Sequence, residues 1–220
     1  MIKQAPLFRL FKLRIKAEQR ANFAAVGQQN LLTSIKQESG TLAMYTGHLD
    51  DAGVENRVLE VYRDQASYEI HANSAQFKAF KTVAGQAVVA QSVLALTPIL
   101  LLEQGQGLRV VQPTTNVAYL TEMTTVSGQQ LELKKIVTDE ITQAMATEPG
   151  LVVTYFGQVA DEPQQFMRFE VYASAAAYQQ QHQRRSKLDE ASQAIVSQQR
   201  TTEIKPDVFV TQGQLSFKAK

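Results

Sequence analysis

The chain has no cysteine and no tryptophan, only three histidines and six prolines, and no long uninterrupted apolar run. Without cysteine, disulfides, thiolate nucleophiles and Cys-ligated zinc or iron–sulfur centres are excluded. His48, His71 and His182 form no HxxxH pair and no paired-carboxylate motif accompanies them, so no metal is expected. There is no Gly-rich phosphate loop, no GxSxG and no dinucleotide fingerprint. The longest apolar stretch, AVVAQSVLALTPILLL (87–102), is broken by Gln91, Ser92, Thr97 and Pro98, which argues against a membrane span. The opening MIKQAPLFRLFKLRIK alternates apolar and basic residues and reads as a strand, not a secretory signal. Charge of either sign is scarce in excess: residues 1–110 carry 12 Lys/Arg against 9 Asp/Glu (+3), and residues 111–220 carry 10 against 12 (−2). Neither half has the basic surplus that nucleic acid or an anionic membrane attracts. These absences lead to the expectation of a cytoplasmic protein with no nucleic-acid and no membrane partner.

What is present is a phrase written twice. EVYRDQASY (60–68) returns as EVYASAAAY (170–178), and the same shift of 110 residues carries Gly40 onto Gly150, Tyr45 onto Tyr155 and Gly47 onto Gly157. Upstream, Phe23, Val26, Leu31 and Ile35 fall on Leu133, Ile136, Ile141 and Met145. Downstream the offset becomes 108, where TPILLLEQG (97–105) answers KPDVFVTQG (205–213). A chain of 220 residues with 44% hydrophobic content can bury two cores of domain size. Two copies of one fold, at 1–108 and 109–220, account for the pattern.

Each copy reads as β-α-β-β-α-β. LFRLFKLRIK (7–16) sets Phe11, Leu13 and Ile15 against Lys12, Arg14 and Lys16, the period of a half-buried strand. Residues from about 18 to 38 carry a helical apolar stripe, ended by Gly40 (Gly150 in copy two), a helix exit that favours left-handed backbone. TLAMYTGHL (41–49) and RVLEVYR (57–63) are strands, a helix follows over about 65–82 (175–198 in copy two), and PILLLEQ closes the unit. Residues 83–96 are extra to this scheme and read as helical. The expected class is α+β: two tandem ferredoxin-like (βαββαβ) units. Both helices of each unit lie on one sheet face, so the other apolar face needs a partner. Two copies meet that need by packing their antiparallel sheets as an intramolecular α+β barrel.

The residues that carry this pattern resemble the antibiotic biosynthesis monooxygenase family of the dimeric α+β barrel superfamily. In copy one the resemblance rests on Gly40, Tyr45, Glu60, Tyr62, Asp64, Tyr68, His71, Ser74, Phe77 and Phe80. Copy two keeps Glu148-Pro149-Gly150, Glu170, Tyr172 and Tyr178, but has Gln181 at the aligned His position, and QRRSKLDEA replaces NSAQFKAF. The resemblance implies a range of activities: cofactor-free oxygenases of quinols and polycyclic phenols, haem-degrading enzymes, isomerases of small phosphorylated signals, and proteins of no known activity. It also implies a pseudo-dimer within one chain, because most members are homodimers of single domains; a homodimer of the whole chain is a further level left open. The haem-degrading branch requires a Trp and a His on the second helix; this chain has no Trp, and Lys81 stands at the expected His position.

Under the resemblance the candidate catalytic residues are His71 as base and Glu60 orienting the substrate or the histidine, with Tyr45 and Tyr62 lining a substrate pocket and no cofactor. A neutral imidazole suits removal of a phenolic proton near neutral pH. The blander readings are a packed helix histidine at His71 and an ion pair of Glu60 with Arg14 or Lys12 on the neighbouring strand. For the tyrosines, repetition in both copies favours framework packing. Tyr68 and Tyr178 read as core anchors, and HQRRSK (182–187) as a solvated basic face. The expected function is a cofactor-independent monooxygenase of a small aromatic or quinol with O2. The alternatives are a non-catalytic small-ligand module, including haem binding or stress response, and an isomerase of a small phosphorylated metabolite with Lys78 and Lys81 near His71.

Overall fold

Alternation settles β1 (Leu7–Ile15): Phe8 and Leu10 enter one buried cluster, while Phe11, Leu13 and Ile15 pack into another on the opposite face. The computed structural model describes residues 4–183 and 194–219. A short 3₁₀ turn leads from β1 into α1 (Arg20–Gln37), which buries Phe23 and Leu31. Then come β2 (Thr41–His48), β3 (Glu55–Tyr62), α2 (Gln65–Asn73), α3 (Ala75–Ala87), the long β4 (Val88–Glu103) and the short β5 (Arg109–Val111). Copy two repeats the order with β6 (Val117–Thr125), α4 (Gln130–Thr147), β7 (Leu151–Val159), β8 (Gln165–Tyr172), α5 at 175–183, β9 (Val196–Thr211) and β10 (Ser216–Lys218). The fold is α+β, two tandem ferredoxin-like units. No helix among the described residues is long and apolar enough to cross a membrane.

The strands run in the order β1-β3-β2-β9-β6-β8-β7-β4, and β4 returns to β1, so the sheets close into one barrel. Closure depends on the two long strands. The first half of β4 pairs with β1 of its own copy, from Ile15↔Val88 to Phe8↔Leu96. Its second half pairs with β7 of the other copy, from Leu96↔Val159 to Glu103↔Val153. β9 mirrors this, pairing first with β6 and then with β2. The barrel interior is filled by an aromatic cluster in which Tyr45 meets Phe169 at 4.7 Å and Phe209 at 5.3 Å between ring centroids, edge to face.

Three expectations are corrected. The second helix is not continuous over 65–82: Ser74 is extended, and its Oγ accepts from the Phe77 amide at 3.2 Å, ending α2 and capping α3. Residues 83–96 are not an extra helix, because 83–87 complete α3 and 88–96 are the first half of β4. In copy two the helix does not extend to 198, since β9 begins at Val196; residues 184–193 lie outside the described residues.

Gly40 and Gly150 are also not left-handed; the positive-φ glycines are Gly53, Gly105, Gly128 and Gly213. Their need is space. A Cβ on Gly40 would lie 2.1 Å from Ser67 Oγ, and one on Gly150 would lie 2.6 Å from Ala177 Cβ, because the following helix sits directly on this turn. Gly40→Ala is therefore expected to lower stability by about 1–3 kcal/mol, the cost of overpacking. Urea unfolding with an unchanged slope would show it, and Ser67→Gly in the same chain should restore most of the loss.

Candidate active site

Four elements deliver polar side chains to one buried point outside the barrel. The last turn of α1 and the residue after it supply Ser34 and Glu38, α2 supplies His71, α3 supplies Gln76, and β3 supplies Glu60 and Tyr62. His71 is 1% exposed. Its Nδ1 lies 3.0 Å from Glu38 Oε2 and 3.2 Å from Ser34 Oγ. Glu38 also accepts from Thr41 Oγ1 at 2.6 Å and from Gln76 Nε2 at 2.6 Å. Burial pushes the Glu38 carboxyl up, but the bonds from His71 and Thr41 outweigh it and hold the group below the usual carboxylate range. An ionised carboxylate only accepts, so the neutral ring carries its proton on Nδ1 and its lone pair on Nε2. That Nε2 is buried with no hydrogen-bond partner.

The surroundings are aromatic and apolar. Tyr62 and Phe77 lie 5.5 and 4.8 Å from the imidazole, centroid to centroid. Tyr62 donates to Glu60 Oε2 at 3.0 Å. Burial drives the Glu60 carboxyl above its ordinary range, with His71 and the Tyr62 hydrogen bond pulling partly back. Between α2, α3 and the strands β1, β3 and β4 lies a cavity of about 410 Å³. Its walls include Phe11, Val58, Tyr68, Phe77 and Phe80, with Glu60, Lys81 and Gln91 as polar groups. Its size is within the range of small-ligand pockets, roughly 300–1,000 Å³.

Of the four residues expected at the site, the fold brings Glu60, Tyr62 and His71 together and sends Tyr45 elsewhere. Tyr45 lies on the other side of the sheet, inside the barrel, where its hydroxyl donates to Tyr155 at 3.0 Å and Tyr155 donates to Glu103. The reason is strand parity: Tyr45 stands opposite the inward-facing Leu59, whereas Val58, Glu60 and Tyr62 face the helices. Glu60 is paired in register with Arg9, not with Arg14 or Lys12; those two meet Glu55 at 3.3 Å and Glu122 at 2.6 Å. Tyr68 is half-buried on the cavity wall beneath the Arg9 guanidinium, 4.0 Å away, instead of in a core. Tyr178 is likewise half-buried, stacked on Tyr119 at 3.6 Å.

Glu38, Ser34 and Gln76 were missed from sequence. The available signal was Glu38 two residues before Gly40, matching Glu148 two residues before Gly150. Among the described residues copy two does not repeat this constellation; a smaller hollow of about 160 Å³ lies there beside Glu148 and Gln181. Gln181 replaces His71, Ala144 replaces Ser34, and Arg168 replaces Val58 of the cavity wall. Arg168 is buried, 3.1 Å from Glu140 and 3.3 Å from Glu170, so an ion-paired side chain stands where copy one leaves room. Residues 184–187 of the basic cluster lie outside the described residues. No group of three metal-ligating side chains occurs among the described residues.

The two carboxyls give opposite pH signatures. Glu38, held low, contributes stability above the unfolded carboxylate range that is lost as pH falls through its folded value. Glu60, held high, is favoured protonated, and its contribution is lost as pH rises through its folded value. Thermal unfolding across pH 3–8 should show Glu38→Gln least stable relative to wild type at neutral pH. Glu60→Gln should be more stable than wild type there, with the gain vanishing on acidification.

Residues 6–83 match the family model described as antibiotic biosynthesis monooxygenase. No curated protein matches the chain by sequence. Over its whole length the chain superposes on a candidate monooxygenase from Lactobacillus acidophilus (TM-score 0.90, 24% identity, covering 98% of this chain and 100% of that one). A candidate monooxygenase from Fusobacterium nucleatum gives a TM-score of 0.89 at 15% identity, covering 99% of this chain and 100% of that one. An anthrone oxidase-like protein gives 0.62 at 13% identity, covering 100% and 98%. At such identities the fold is what is shared. The first copy, which carries His71, Glu38 and the cavity, thus holds the segment similar to the antibiotic biosynthesis monooxygenase family, and the second repeats its fold.

Proposed function

We propose that the protein is a cofactor-independent monooxygenase that oxidises a small aromatic or quinol-type phenol with O2 in the cavity of copy one. The observation that carries this reading is the His71–Glu38 pair, which fixes the imidazole tautomer and leaves an unpartnered Nε2 lone pair on a ring that is not itself a cavity wall but packs against Phe77, which is. Nε2 takes the substrate proton, and Glu38 stabilises the imidazolium across Nδ1–H. The electron-rich anion passes one electron to O2, and recombination of the two radicals forms a carbon–oxygen bond and a peroxide. His71 returns a proton to make the hydroperoxide; the C–H bond at the same carbon then breaks, its electron pair forms C=O as the O–O bond cleaves, and the departing hydroxide takes that proton and leaves as water. One oxygen atom stays on the substrate, and all electrons come from the substrate itself.

The remaining groups fit this chemistry. Apolar walls keep water from the carbanion and radical stages. Glu60, the carboxyl on the cavity wall, can hydrogen-bond a substrate hydroxyl. Phe77 contacts the imidazole and also lines the cavity, so a phenol in the cavity reaches Nε2 only if this ring moves aside. Of the two lysines considered for a phosphorylated substrate, Lys81 lines the cavity and Lys78 does not, which favours the oxygenase over the isomerase.

Oxygen uptake with hydroquinones, hydroxynaphthalenes and anthrone, without added cofactor, tests the reading. His71→Ala is expected to lower the rate by about 10²–10⁴, the usual worth of a general base. Glu38→Gln should lower it less, and one atom of ¹⁸O₂ should appear in product. Uptake indifferent to His71→Ala, or none with any substrate, would sink the proposal.

A further inference from the structure

The cavity in copy one is chemically graded from depth to mouth. Glu60 is 7% exposed and sits among Val58, Tyr68 and Phe77, whereas Lys81 is exposed on α3. Lys81 also lines an adjoining shallow surface groove with Ala84, Gly85 and residues 88–91, and that groove does not include Glu60. The lysine therefore stands at the entrance and the carboxyl at the inner wall. Among the described residues Lys81 has no carboxylate within ion-pair distance, while Lys12 and Lys205 each have one. An unpaired ammonium beside an aromatic hollow is a ready site for an anion carried by an aromatic ring. An anion in the depth would instead face the Glu60 carboxyl, so only one orientation satisfies both ends.

We propose that Lys81 sets the ligand class of this cavity: a phenolic aromatic bearing a carboxylate at the end away from its hydroxyl, held by Lys81 at the mouth with the hydroxyl directed inward. This rests on the cavity being the ligand site, as in the reading above, but not on oxygen chemistry. Lys81 acts on affinity and orientation and touches no reacting atom.

The test is fluorescence titration of the full chain with 6-hydroxy-2-naphthoate and its neutral counterpart 6-hydroxy-2-naphthamide. A chain without tryptophan leaves the naphthyl signal clear. The acid is expected to bind about fivefold tighter than the amide, as a partly exposed ion pair allows, and less so at high salt. Lys81→Gln should abolish that preference by weakening the acid alone, and Lys81→Arg should keep it. Ala84→Phe, which fills the cavity, should remove binding of both. Equal affinities in the wild type, a preference that survives Lys81→Gln, or binding that survives Ala84→Phe would each overturn the proposal. Failure of both probes to bind would overturn it together with the cavity as ligand site. Lys81-dependent binding without oxygen uptake would sink only the oxygenase reading.

Discussion

Each four-stranded sheet has one face that its own helices cannot reach, and everything else in the molecule follows from covering it. Phe8, Leu10, Tyr45, Leu59 and Val61 on one sheet would face water unless they met Tyr155, Phe169 and Val171 on the other. Each such side chain is worth about 1.5–3 kcal/mol when buried, so a single sheet could not stand alone. The crossing of β4 and β9 turns this contact into a ladder of backbone hydrogen bonds, and the barrel has no seam at its closure. With the inner faces committed to each other, the outer faces are free to hold helices. The gap between helix and sheet is where His71 and the cavity lie.

Fusion of the copies leaves its mark where the pseudo-twofold axis passes. Residues 110 apart meet there: Tyr45 bonds Tyr155, and Lys12 pairs with Glu122 at 2.6 Å. In a dimer of identical chains a residue on the axis meets its own copy, so a lysine would face a lysine. Within one chain the second position is free to become glutamate, and repulsion gives way to a half-buried ion pair worth about 1 kcal/mol or less. The buried tyrosines break symmetry in the same manner. Tyr155 donates to Glu103, whose counterpart at the 108-residue offset is Thr211, so the hydrogen-bond chain runs in one direction only.

The repeat made the fold legible, because alternation, helical stripes and turns recur in both copies and only one arrangement covers both sheets. What escaped the sequence was long-range. The first half of β4, VVAQSVLA, has no strict alternation: it is an edge with both faces largely exposed, so its composition resembles a helix as much as a strand. Glycines 40 and 150 were noticed for the right positions and the wrong reason, since a helix approaching from 27 residues further on is invisible locally. At the site, alternation along β3 puts Glu60 and Tyr62 on one face, but nothing local gives the parity of β2, and Tyr45 falls inside the barrel. Glu38 escaped because its partner His71 lies 33 residues away on another helix.

Repetition and divergence therefore carry different information in this chain. Features kept twice, such as the Gly turn and the inner aromatics, serve the barrel and the helix contact, which both copies need. Features kept once, namely His71, Ser34 and the open space beside Val58, belong to the candidate site of copy one. Arg168 shows how the second position was released: a buried guanidinium between Glu140 and Glu170 fills the space and is stabilised by partners that copy one lacks or uses otherwise. A symmetric dimer could not make that exchange without closing both sites. The asymmetry between Val58 and Arg168 is thus one that covalent fusion permits, and it leaves the wider cavity in the first copy.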